Sequence, residues 1–199
     1  MFTNDSRISD LRGAVALCHY FLAERVRPGD RVLDATCGNG NDTLMLARLV
    51  GECGTVWAFD IQPEALRATD ALLAEAGCRR RVELVESGHE RLDEFVSGPL
   101  RAVVFNLGFL PGGPKVCTTL PDTTIDALGK AAELLAPAGL LLLALYPGHS
   151  GGKEECAAVE AWAASLSPTA FNVWFHRQLN RSPVAPYLVV VEKRGPECS

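Results

Sequence analysis

Short apolar runs of β type alternate along the chain with stretches whose apolar residues recur at helical spacing. That alternation predicts a largely parallel sheet with helices on both faces. Arg31 to Leu33, Thr55 to Phe59, Arg81 to Glu86, Arg101 to Asn106 and Gly139 to Tyr146 read as strands. The fifth is nearly all leucine, as a central strand buried on both faces would be. Helical patterns cover Ser9 to Val26, Thr43 to Val50, Pro63 to Ala76, Thr123 to Leu135 and Lys153 to Leu166. Pro28-Gly29-Asp30 ends the first of these, and Pro63 suits the first turn of the third. Ala170 to His176 and Tyr187 to Lys193 are two further strands, joined by Leu179 to Pro186, and are expected to close the sheet as an antiparallel pair.

The first strand runs into Asp34-Ala-Thr-Cys-Gly-Asn-Gly-Asn-Asp42, a glycine turn that opens a helix. Gly38 and Gly40 let the backbone turn tightly and approach a ligand, and the helix points its unpaired N–H groups at the same spot. About twenty residues on, the second strand ends in Asp60, where a ribose-binding carboxylate sits in a βαβ unit. A dinucleotide fingerprint would have a third glycine where this chain has Thr43. Asp34 would also repel a diphosphate but attract a cation. S-adenosylmethionine (SAM) carries an ammonium and a sulfonium and no phosphate, so it fits the turn. An Asp in this place can equally serve as a turn cap.

Ligands of open α/β sheets bind beyond the carboxyl ends of the strands, so the chemistry is expected there. Those ends carry Asp34, Thr36 and Asn39, then Asp60, Ile61 and Gln62, then Ser87, Gly88 and His89, then Asn106, and finally Tyr146-Pro-Gly-His-Ser-Gly-Gly152. Asp34 and the turn Gly38, Asn39, Gly40, Asn41 and Asp42 are expected at the methionine end of the ligand, and Thr36 is also expected to bind the cofactor. Asp60, Ile61 and Gln62 are expected at its adenosine end, with Ser87 and His89 bordering the adenine. His149 stands at a strand end, whereas His19 falls inside the first helix and reads as structural. The loop Asn106-Leu-Gly-Phe-Leu-Pro-Gly-Gly-Pro-Lys115 suits a substrate amine. An Asn carbonyl can accept amine N–H bonds and aim the lone pair along the S–CH₃ bond, a displacement limited by geometry. The candidate catalytic set is Asn106, Leu107, Gly108, Phe109, Tyr146 and His149, with Asn106 touching the methyl donor as well.

With 199 residues and 48% hydrophobic content, one domain over residues 1–199 is expected. The polar segment from Met1 to Gly13 lacks a signal-peptide core, and Leu140 to Tyr146 is too short to span a bilayer, so a cytoplasmic protein without membrane contact is expected. The seven cysteines, at 18, 37, 53, 78, 117, 156 and 198, show neither a disulfide framework nor paired metal-ligand spacing, so no metal is expected.

The segments DATCGNGNDT (34–43), AFDIQ (58–62), SGHE (87–90), NLGFLPGGPK (106–115), TTIDAL (123–128) and YPGHSGGKEE (146–155) together resemble the bacterial rRNA methylase family over nearly the whole chain. The resemblance implies a Rossmann-like class I methyltransferase fold, with a mostly parallel seven-stranded sheet and an antiparallel C-terminal strand. It implies SAM as cofactor. Characterised members are tRNA N-methyltransferases that convert 5-aminomethyl-2-thiouridine at wobble position 34 to 5-methylaminomethyl-2-thiouridine, so the implied partner is the anticodon loop of tRNA. Family members commonly have His where this chain has Asn41 and Tyr where it has Phe109, and amine-methylating enzymes carry prolines in place of Leu107 and Gly108.

A formal charge of −5 offers RNA no global attraction, so a local basic patch is required. Lys115, Lys153, Arg177 and Arg181 flank the expected mouth, whereas Arg79-Arg80-Arg81 precedes the third strand at the far end. Unstacked anticodon bases can add to recognition. Methylation of rRNA or of a small-molecule amine, a nicotinamide-dependent oxidoreductase and a non-catalytic SAM-binding module remain alternative readings. The sequence does not set the oligomeric state, and a homodimer is compatible with it.

Overall fold

The computed structural model describes residues 11–108 and 119–195. Its strands are β1 (Arg31–Asp34), β2 (Thr55–Asp60), β3 (Val82–Glu86), β4 (Leu100–Leu107), β5 (Leu135–Leu145), β6 (Phe171–His176) and β7 (Tyr187–Lys193). They form one seven-stranded sheet in the order β3-β2-β1-β4-β5-β7-β6. β1 to β5 pair in parallel, and β7 runs antiparallel to both β5 and β6. The chain starts in the middle of the sheet, builds outward to β3, then returns to lay β4 on the other side of β1. That reversal opens a crevice beyond the tips of β1 and β4.

The helices are α1 (Gly13–Arg25), α2 (Asn41–Val50), α3 (Pro63–Glu75), α4 (Leu92–Phe95), α5 (Pro121–Leu134) and α6 (Gly152–Ser165). Strand side chains alternate between two cores. Val32, Val56, Ala58, Val104 and Leu142 meet Cys18 and Leu22 of α1, Leu46 of α2 and Leu73 of α3. Leu33, Phe59, Phe105 and Leu143 meet Leu92 of α4, Leu128 of α5 and Val159 of α6. A strand flanked on both faces has no solvent side, which explains the unbroken leucines of β5.

Most boundaries agree with the sequence pattern within a few residues. β5 differs: it begins at Leu135, not Gly139, and ends at Leu145, one residue short of Tyr146. Leu135 pairs with Leu100, and the register then slips so that Leu140 faces Ala102. The intervening residues bulge through Ala138 at φ 58° and Gly139, whose missing Cβ would meet the carbonyl oxygens of Ala136 and Leu100 at 2.8 Å. α4 has no counterpart in the sequence pattern, because four residues carry no helical period. No helix among the described residues is long and apolar enough to cross a membrane.

Candidate cofactor and substrate crevice

The turn after β1 is braced from below. Gly40 has φ 81°, a conformation open to glycine, and a Cβ there would sit 2.7–2.9 Å from Thr69 of α3. Thr69 donates its hydroxyl to the Gly38 carbonyl at 2.9 Å, and Cys37 N–H donates to the Phe59 carbonyl at 2.8 Å. α2 then begins without a side-chain cap, so its first N–H groups are left for an anionic ligand group.

Asp34 takes the capping role rather than facing the crevice. Its wholly buried carboxylate accepts the Thr43 hydroxyl at 2.6 Å and the Thr36 N–H at 3.2 Å. Thr43, standing where a dinucleotide turn has its third glycine, therefore ties α2 to the tip of β1. Burial first, and Asp42 second, push the Asp34 carboxyl up to about 7. The folded protein thus holds a proton that the unfolded chain releases near pH 4. Stability contributed by this proton is full below pH 4 and is lost as the pH rises to about 7, by roughly 4 kcal/mol. The buried ring of His89, whose pKa is lowered by desolvation, acts in the opposite sense. Urea melts of wild type and Asp34→Asn compared between pH 4 and 7.5 isolate the carboxyl, because the His89 contribution cancels. The wild type should lose stability relative to the variant as pH rises, and parallel curves would refute the assignment.

Asp60 stands at the tip of β2, between its own loop and the glycine turn. Its two oxygens accept the N–H of Gly38 at 3.0 Å and of Gln62 at 2.9 Å. Ile61 beside it is 56% exposed, a large apolar side chain without cover in the crevice wall. Ser87 is drawn to the same place by its N–H bond to the Asp60 carbonyl at 3.2 Å. His89 packs edge-on against Phe105 with ring centroids 5.5 Å apart, and its buried Nε2 has no hydrogen-bond partner among the described residues. Buried polar atoms are rarely left so, and this one offers a contact for a bound ring. Asn39 and Asn41 are exposed on the turn.

At the tip of β4, Asn106 is held on both sides. Its backbone N–H donates to the Thr36 hydroxyl at 2.7 Å, which bolts the tips of β1 and β4 together. Its side-chain Nδ2 donates to Asp42, and its Oδ1 faces the Tyr146 hydroxyl at 3.4 Å. Burial pushes the Tyr146 phenol up to about 12, so it remains a donor. Asp42, expected on the cofactor, accepts from Asn106 through one oxygen and from His19 Nε2, at 2.5 Å, through the other. His19, read from the sequence as structural, is therefore part of the site; no local signal marks it, because its partner is 23 residues away.

His149 donates Nδ1–H to the Ser150 carbonyl at 2.9 Å. The missing Cβ atoms of Gly108 and Gly152 would lie 3.6 and 2.8 Å from its Nε2, which places the ring between the end of β4 and the start of α6. The Leu107 side chain is buried in the core. Phe109, Lys115 and Cys117 lie outside the described residues. Glu155, buried at the start of α6, accepts the hydroxyls of Thr119 at 2.7 Å and Thr124 at 2.9 Å and so ties α6 to the start of α5. Arg79 and Arg81 are engaged away from the crevice, with Asp70, the Ala47 carbonyl and Glu52. The groove they line with Ala74 and Gly77, about 660 Å³, lies at the amino ends of the strands, where such sheets do not hold ligands.

The residues fit SAM: a carboxylate between turn and ribose position, an apolar ledge at Ile61, an uncapped helix terminus and, among the described residues of the glycine turn, no lysine or arginine for a diphosphate. Known proteins agree with that fit. The family model described as "Putative rRNA methylase" matches residues 56–192. A chloroplastic tRNA (mnm(5)s(2)U34)-methyltransferase from Arabidopsis thaliana is 42% identical over 91% of this chain and 69% of its own. A Clostridium thermocellum structure described in the same words as the family superposes with TM-score 0.90 at 40% identity, over 92% of this chain and 99% of that one. A Streptococcus mutans methyltransferase solved with S-adenosylhomocysteine (SAH) gives TM-score 0.84 at 34% identity, over 92% and 99%.

Proposed function

Because the chain belongs to the rRNA methylase family of SAM-dependent methyltransferases, we propose that it N-methylates 5-aminomethyl-2-thiouridine at wobble position 34 of tRNA to 5-methylaminomethyl-2-thiouridine. The observation that carries this reading is the Asn106 carbonyl at the tip of β4, turned away from Asp42 and toward Tyr146. SAM, when bound, supplies an electrophilic methyl group on a sulfonium. Asp60 and Gln62 would hold the ribose, Ile61, Ser87 and His89 the adenine, and the Gly38–Asn41 turn with the start of α2 the methionine carboxylate. The buried Asp34 would act through its bonds from Thr36 and Thr43, which hold the turn in shape. Asn106 would accept an N–H of the substrate amine and aim its lone pair along the axis of displacement. No strong base is needed, since a fraction of the amine is neutral near pH 7.

Lys153, Arg177 and Arg181 are exposed and carry no ion pair among the described residues. β6 runs parallel to β5, so the 177–186 hairpin leaves the sheet at the same end as the crevice. These cations supply a local patch that the net charge does not. Nucleoside mass spectrometry of tRNA carrying the 5-aminomethyl group, after incubation with protein and SAM, should show the gain of one methyl group on that nucleoside. An unchanged nucleoside in the presence of SAH-competent protein would sink the assignment.

A further inference from the structure

We infer that His19 and Asp42 form a relay that locks the Asn106 side chain with its carbonyl facing the crevice, so that the site accepts an N–H nucleophile and rejects a substrate that can only accept. The inference rests on the reading of Asn106 as the group that aims the amine, and it adds two residues and a reason for selectivity. A primary amide has one donor end and one acceptor end of nearly equal size, and nothing in its shape decides which end points where. A carboxylate removes that freedom, because it only accepts.

Asp42 Oδ2 meets the Asn106 amide, so the end that meets it is the NH₂ and the opposite end, Oδ1, is the one presented beside Tyr146. Asp42 is itself held. His19 Nε2 lies 2.5 Å from Oδ1, and this contact also requires the ring to donate, which fixes its proton on Nε2. α1 packs Cys18, the neighbour of His19, and Leu22 into the same core as β4 and β5, so the ring is carried on a rigid element. The Tyr146 hydroxyl contact at 3.4 Å is long, leaving Asn106 Oδ1 free to take a shorter bond from an incoming amine. Asp42 and His19 touch neither reacting group in this arrangement. They are positioning residues, acting through Asn106.

A double-mutant cycle separates this role from a merely structural one. Asp42→Ala should lower kcat of methyl transfer to 5-aminomethyl tRNA by about 10–100-fold, the scale of a misaligned reacting group. In the Asn106→Ala background the same change should cost no more than about 2-fold, because residues acting as a unit are non-additive. SAH affinity by calorimetry should stay within about 3-fold in Asp42→Ala, below the roughly 10–150-fold loss expected for a lost charged contact. His19→Gln, which keeps a donor, should retain more kcat than His19→Ala. Additive losses in the cycle, or SAH affinity falling as much as kcat, would overturn the relay and return Asp42 to the cofactor.

Side-chain ¹⁵N NMR tests the relay without any turnover. The Asn106 NH₂ resonances should be shifted downfield and exchange slowly in the wild type, and lose both properties in Asp42→Ala. Their absence from the wild type overturns the relay. Their presence in a protein inert toward the tRNA would support the locked amide while sinking the tRNA reading alone.

Discussion

Alanine in place of Asn106 is expected to lower the turnover number of methyl transfer by about 10²–10³-fold, the cost of removing one oriented dipole from a reacting centre. The backbone of residue 106 would stay where it is, because its N–H bond to Thr36 and its pairing with Ala144 do not involve the side chain. SAH binding should therefore change far less than kcat. The loss would fall on kcat rather than on the affinity for tRNA, since a group that aims a lone pair acts on the reacting geometry. Single-turnover methylation at saturating tRNA, set beside SAH calorimetry, measures both. A variant with full turnover would show that the Asn106 side chain carries no part of the chemistry.

The second large effect belongs to Asp60→Asn. In the free protein the carboxylate is already bonded to Gly38 N–H and Gln62 N–H, so it is held in place before any ligand arrives. A ribose would use its remaining acceptor capacity for both hydroxyls, and an amide has one oxygen where the carboxylate has two. SAH affinity should fall about 100-fold, or roughly 3 kcal/mol, the upper range for hydrogen bonds to a charged group. Thermal stability of the free variant should drop by only about 1 kcal/mol, because one carbonyl oxygen still accepts one of the two backbone donors. If calorimetry shows unchanged SAH affinity while the melting temperature collapses, Asp60 is a brace for the turn and not a ligand-binding group.

Asp34, Asp60, Ser87, Asn106 and Tyr146 stand at or immediately after the ends of β1, β2, β3, β4 and β5. Apolar runs locate those ends, so the roster of candidate groups was readable in advance. The direction each side chain takes was not. Asp34 turned out to be buried on Thr43 and Thr36, and Asp42 to serve Asn106. A carboxylate beside glycines looks the same in either role until its donors are known.

What the residue order alone established is the part written in local period and in special backbone conformations. The alternation of apolar runs with helical patterns, the leucine run of β5 and the glycines of the first turn are legible in residues a few positions apart, and they suffice for the sheet, the turn and the class of ligand. Contacts between distant segments needed the folded chain. His19 reaches Asp42, and Asp42 reaches Asn106, only because β4 is laid beside β1 and α1 packs across the sheet at that point. Strand order and register set those distances, and they result from the packing of two whole cores, which no short stretch of sequence records.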